Sequence, residues 1–182
     1  MPKGCVTIVT GPPGAGKSTV ARRLAGGTSA DLGMHIHTDD IYTYIQKGFV
    51  PPWDPASQAQ NAVLMDAIAA QAAVCAKGGY DVYVDGIVGG WFFDPWLSAA
   101  RTHDLGLRYV LLQPNLAATL SRATARTAPG AMTDPDVVGQ MWEAFRAFEI
   151  DPAHIVDTTG QTIEQTVTLI EAGLKAGRFR LA

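Results

Sequence analysis

The stretch Gly11-Pro12-Pro13-Gly14-Ala15-Gly16-Lys17-Ser18, followed by Thr19, carries the strongest chemical signal in this chain. It fits the pattern G-x-x-x-x-G-K-[ST] in full. Glycines let such a loop turn its backbone N–H groups inward onto phosphate oxygens. A helix opening at Lys17 adds unpaired amides and the positive end of its dipole. Lys17 is expected to reach the β- and γ-phosphates, and the Ser18 hydroxyl to ligate Mg2+. Residues 11–19 therefore predict a nucleoside triphosphate site. A Gly/Pro-rich turn without a ligand is the alternative, and the strand-like run before it and helical run after it argue against that.

Two carboxylates extend the chemistry. Val82-Tyr83-Val84-Asp85 is an apolar run ending in an acid, so Asp85 is expected to hold Mg2+ through its water shell. The same Asp also suits the capping of a turn. His35-Ile36-His37-Thr38-Asp39-Asp40 ends a second strand-like run. A carboxylate emerging there, at the carboxyl edge of a parallel sheet, is placed to accept a proton from a hydroxyl attacking the γ-phosphoryl group. Capping of the next helix by Thr38, Asp39 or Asp40 competes with that role. His35-x-His37 puts two imidazoles on one strand face. A metal pair needs a third ligand that the spacing does not offer, so His37 is expected as a polar neighbour of Asp39.

These groups need a scaffold, and the hydropathy pattern supplies one. Strands are expected at Cys5–Thr10, Met34–Thr38, Tyr80–Asp85, Leu107–Gln113 and His154–Asp157. Helices are expected near 17–26, 40–47, 55–77, 95–103, 115–127, 134–149 and 162–176. Strand and helix in alternation predict one α/β domain over residues 1–182, with a five-stranded parallel sheet covered on both faces. Asp54-Pro55 and Asp94-Pro95 read as capped helix starts. Thr133-x-x-Asp136 and Thr162-x-x-Gln165 read as capping boxes or close variants. Gly78-Gly79 stops the long helix.

With the phosphate loop in the first turn, T-D-D after the second strand and D-G after the third, the chain resembles the small-molecule P-loop kinases. It is most similar to their chloramphenicol-phosphotransferase-like and gluconate-kinase-like branch, over nearly its whole length. The resemblance implies the P-loop NTPase fold with a helical lid at about 122–135, ATP and Mg2+ as cofactors, and Asp39 as base for the acceptor hydroxyl. It also implies that Arg122 and Arg126, four residues apart on one helix face, enter a lid over ATP. One would stabilise the transferring phosphoryl group and the other would pack near the adenine, the assignment staying open. Thr127-Ala128-Pro129-Gly130-Ala131-Met132 follows as a flap of small residues. Thr158 and Thr159, after the last strand, fall where related kinases border the adenine, and read equally as a plain turn.

The acceptor is expected to be a small molecule with a hydroxyl group, antibiotic-like or sugar-like. Phe49-Val50-Pro51-Pro52-Trp53 and Gly89-Gly90-Trp91-Phe92-Phe93 either wall an apolar slot for it or fill a satellite core. A nucleoside monophosphate acceptor would need more cations than Arg101 and Arg108 supply. The competing function is an NTP-hydrolysing switch acting on a protein partner, which the carboxylate at Asp39 and the missing N-K-x-D motif disfavour.

Composition bounds the rest. The 182 residues are 47% apolar and 17% charged, with a net charge of −3. That balance argues against a nucleic-acid or anionic-membrane partner. No apolar run approaches the ~18 residues of a membrane span, and no secretory leader is evident at the amino end. A cytoplasmic monomer or homodimer is expected, with Cys5 and Cys75 as buried free thiols.

Overall fold

A computed structural model describes residues 3–127 and 130–182. Five strands form one parallel sheet: β1 (Cys5–Thr10), β2 (Gly33–His37), β3 (Asp81–Gly86), β4 (Gly106–Leu112) and β5 (Ile155–Val156), in the order β2-β3-β1-β4-β5. The helices are α1 (Lys17–Gly27), α2 (Gln58–Lys77), α3 (Phe93–His103), α4 (Leu116–Thr124), α5 (Pro135–Ala147) and α6 (Ile163–Lys175). Side chains alternate across the sheet as its pleat requires. Along β4, Leu107, Tyr109 and Leu111 enter a core shared with α2 and α3, while Val110 and Leu112 enter one shared with α1 and α6.

The long α2 shows how sequence sets an element. Alanine dominates it, and Met65, Ile68, Ala69, Ala72, Ala73 and Ala76 form its buried stripe at helical spacing. Asp54 accepts a hydrogen bond from the Ala56 amide at 2.8 Å, and one 3-10 turn at Pro55–Ser57 leads into the helix. Gly79, at φ 99°, ends it. At α6, Thr162 and Gln165 form the expected capping box.

Local chemistry changed three boundaries. The helix expected at 40–47 is a 3-10 helix at Thr38–Tyr44. Its short polar side chains bond to nearby backbone, as Thr43 Oγ1 does to the Asp40 carbonyl at 2.6 Å. Asp134, not Thr133, caps α5, because Pro135 takes the first helical position and the Asp134 carboxylate reaches the amides of Asp136 and Val137. Asp94 caps nothing, since α3 has already begun at Phe93. The thiols are also less enclosed than expected. Cys5 and Cys75 are both only partly buried, and Cys5 Sγ donates to the Gly106 carbonyl at 2.9 Å.

Candidate active site

The sheet order sets β3 between β1 and β2, so the carboxyl ends of all three converge. β1 runs into the glycine-rich loop that opens at Gly11. Gly14 lies there at φ 84°, and a Cβ on it would stand 2.6 Å from the Thr119 carbonyl oxygen of α4. The loop is thus seated on the helix that carries Arg122. Gly16, at φ 93°, precedes α1 with no side chain capping the helix, which leaves that amino end open to an anion. Lys17 Nζ donates to the Pro12 carbonyl at 3.0 Å, lying back over the loop.

His37 and Asp85 are register partners across β2 and β3. The fully buried Asp85 bonds the Nε2 of His35 through Oδ1, while its Oδ2 accepts from the Ser18 hydroxyl and lies 3.0 Å from His37 Nδ1. The far side of the His37 ring, Nε2, stands 3.7 Å from Asp39 Oδ2. His37 is therefore the expected neighbour of Asp39, and both imidazoles also turn onto Asp85, a link the sequence did not reveal. Burial works to raise the Asp85 pKa, but the hydrogen bonds from His37, Ser18 and His35 outweigh it and hold the carboxyl below its ordinary value. The same hydrogen bond raises the pKa of His37. Burial pushes Lys17 down to about 8, against the pull of Asp85 and Asp39 and helped by Arg126. A hydroxyl and a buried, ionised carboxylate side by side are the oxygen donors that hard Mg2+ takes, so Ser18 and Asp85 fit that ion.

The two arginines separate. Arg126 lines a cavity with Lys17, Ser18 and Asp39. Arg122 instead holds the turn after β5, donating to the Thr158 carbonyl at 3.0 Å and facing the Thr158 hydroxyl at 3.4 Å. Thr159 Oγ1 accepts from the Asn115 amide at 2.8 Å, which fixes that turn to the start of α4. In the expected lid, Gly130, Ala131 and Met132 line the cavity as well. Ala128 and Pro129 of the flap lie outside the described residues.

The cavity measures about 330 Å3. Beyond the glycine-rich loop its wall is Tyr42, Pro52, Trp53, Trp91 and Phe92 with Met65. Both expected aromatic stretches thus contribute, yet not wholly. Phe93 packs into the core against Tyr109 at 4.8 Å between ring centroids, and Phe49 is exposed away from the cavity. Tyr42 and Asn61 are wall residues that sequence reasoning missed. Arg101 and Arg108 take no part in the lining. His154, which carried no sequence signal, is buried with Nδ1 2.9 Å from the Tyr109 carbonyl and serves packing.

A family model described as an AAA domain matches residues 6–149. No curated protein matches the sequence. Among solved structures, the chain is similar to a sugar kinase from Janibacter sp. HTCC2649, with 16% identity over 96% of this chain and 95% of that one and a TM-score of 0.69. It is similar to the APS kinase of Mycobacterium tuberculosis in complex with AMPPNP and APS, at 18% identity, 96% and 99% coverage and a TM-score of 0.69. A gluconokinase from Sinorhizobium meliloti 1021 aligns at 19% identity, 96% and 93% coverage and a TM-score of 0.64. At these identities the likeness is one of fold: a single α/β unit with a five-stranded parallel sheet, as in P-loop kinases.

Proposed function

This chain belongs to the AAA-domain family, and from that premise we propose that it is a cytoplasmic, ATP- and Mg2+-dependent phosphotransferase that moves the γ-phosphoryl group to a hydroxyl of a small molecule. One observation carries the proposal: a carboxylate, Asp39, faces the same cavity as two cations, Lys17 and Arg126. The kinases of like fold lend support.

The roles follow from position. The amides of the loop and the open amino end of α1 cradle the phosphates, with Lys17 supplying charge at the β- and γ-phosphates. Ser18 and Asp85 would hold Mg2+, which when bound neutralises phosphate charge. Asp39 takes the proton of the acceptor hydroxyl as its oxygen bonds to the γ-phosphorus. The bond to the β-phosphate oxygen breaks, and ADP leaves with the electron pair. Arg126 meets the charge spread over the transferring group, and Arg122 fixes the turn of Thr158 and Thr159 beside the adenine. With a loose transition state, positioning and electrostatics do most of the catalysis.

The test is ADP release from Mg·ATP with and without a panel of hydroxylated small molecules, in the native chain and in Asp39→Asn. Acceptor-dependent release that falls by about 10²-fold or more in the variant is expected of a lost general base. Slow release indifferent to every acceptor and to Asp39 would remove transfer and favour a hydrolysing switch.

A further inference from the structure

Resting on the transfer reading above, we propose that the acceptor is an uncharged alcohol with a flat apolar body, packed against Trp53 and Trp91, and a second hydrogen-bond donor received by the Tyr42 oxygen.

Charge comes first. Among the described residues, the basic side chains on the cavity are Lys17, Arg126 and His37. The first two serve the phosphoryl group, and His37 is engaged by Asp85 and Asp39. An acceptor carboxylate or phosphate would find no free cation and would face Asp39, so its desolvation would go uncompensated.

Shape comes next. Trp53 and Trp91 are 56% and 52% exposed, much apolar surface to leave open without an occupant. Trp91 is backed by Phe145 and Phe148, with centroids 5.7 and 6.4 Å away, so it presents a supported wall. Met65, Met132 and Met141 complete a soft apolar lining that moulds to a ring.

The third feature is polar. The Tyr42 hydroxyl donates to Asn61 Oδ1 at 2.8 Å, and Asn61 Nδ2 donates to the Pro52 carbonyl and to Ser57 Oγ, each at 2.8 Å. With that donor spent, the phenol oxygen has only acceptor capacity left. Burial raises its pKa to about 12, so it stays neutral. In the 3-10 helix Thr38–Tyr44, residues three apart eclipse one another, which sets Asp39 and Tyr42 on one face toward the cavity. Asp39 takes the reacting hydroxyl; Tyr42 receives the other donor.

Three compounds probe the acceptor class, 1-phenyl-1,2-ethanediol, mandelate (its carboxylate counterpart) and glycerol (no ring), and a fourth, 2-phenylethanol, probes Tyr42. Binding in the presence of Mg·ADP is read by quenching of tryptophan fluorescence, and turnover by ADP release from Mg·ATP. The diol is expected to bind at least about tenfold more tightly than either other probe, with the preference reduced in Trp53→Ala. In Tyr42→Phe, the advantage of the diol over 2-phenylethanol, which lacks the second hydroxyl, should shrink to about one; equal weakening of both would mean a structural role and overturn the Tyr42 assignment. Mandelate or glycerol binding as well as the diol, or no diol binding, overturns the acceptor class. Preferred binding of the diol without turnover of any probe upholds the ligand class of the cavity and overturns its role as the acceptor of a transfer.

Discussion

On the proposed function, Lys17 is a residue whose protonation should change when the loop takes phosphate. Burial lowers its pKa to about 8, and phosphate oxygens would favour the charged form. Below pH ~7 the ammonium is already protonated and binding moves no proton. Above about 8 the empty site is increasingly neutral, so ATP binding takes up a proton and affinity falls with rising pH, by up to about tenfold per unit. Calorimetry in buffers of different ionisation enthalpy should read near-zero uptake at about pH 7 and close to one proton at about pH 9. Lys17→Arg, whose guanidinium does not titrate, should bind with no uptake at either pH; uptake persisting there would place the proton elsewhere. Lys17 was legible because the motif specifies type, spacing and setting together. The grip of His35 and His37 on Asp85 was not, because it depends on which residue of β3 stands opposite His37, and register is written in no single stretch. Tyr42 was hidden for a related reason. Its alignment with Asp39 needs the 3-10 geometry, which a hydropathy pattern does not separate from an α-helix.

At the scale of elements, α4 and the segment after it divide two arginines that looked equivalent. Spacing of four put both on one helix face, but α4 ends at Thr124, so Arg126 leaves the helical path and reaches the cavity while Arg122 stays on the helix against Thr158. Arg126→Ala should therefore lower kcat by about 10³-fold, as for a phosphoryl-stabilising guanidinium, with little change in KM for ATP. Arg122→Ala loses charge-assisted hydrogen bonds worth about 1.5–3 kcal/mol. Its effect should appear chiefly as a KM for ATP raised by roughly tenfold or more. Steady-state kinetics on both variants check the division, and a reversed pattern would exchange the two roles. The helix ends were readable wherever a cap and a proline acted alone, as at Asp54-Pro55. They misled where two candidates competed, as at Thr133 and Asp134, because only backbone position decides which oxygen meets the open amides.

For the whole molecule, the site sits at one edge of the sheet and much of what closes the sheet lies elsewhere. β5 has only two residues and pairs with Leu111 and Leu112, leaving the amino-terminal half of β4 paired with β1 on one side and without a strand neighbour on the other. The segment after α6 fills that gap. The Tyr109 amide donates to the Phe179 carbonyl at 2.9 Å, the Leu107 amide to the Ala182 carbonyl at 3.0 Å, and Arg108 and Arg180 form an antiparallel bridge. This covers an edge that would otherwise offer free backbone groups to another chain. Phe179 anchors it, fully buried beside Gly173, where a Cβ would collide with the ring. Hydropathy showed none of this, since one aromatic among Arg178, Arg180 and glycines carries no periodicity. Phe179→Ala should cost about 3–5 kcal/mol, read as a lower Tm and a greater tendency to aggregate. At a temperature where the variant is still folded, its affinity for Mg·ATP should match that of the native chain. The loop, Asp85 and Arg126 are positioned by the carboxyl ends of β1 to β3 and by α4, not by this edge. A large loss of nucleotide affinity in folded Phe179→Ala would mean instead that the tail and the site are coupled through β4.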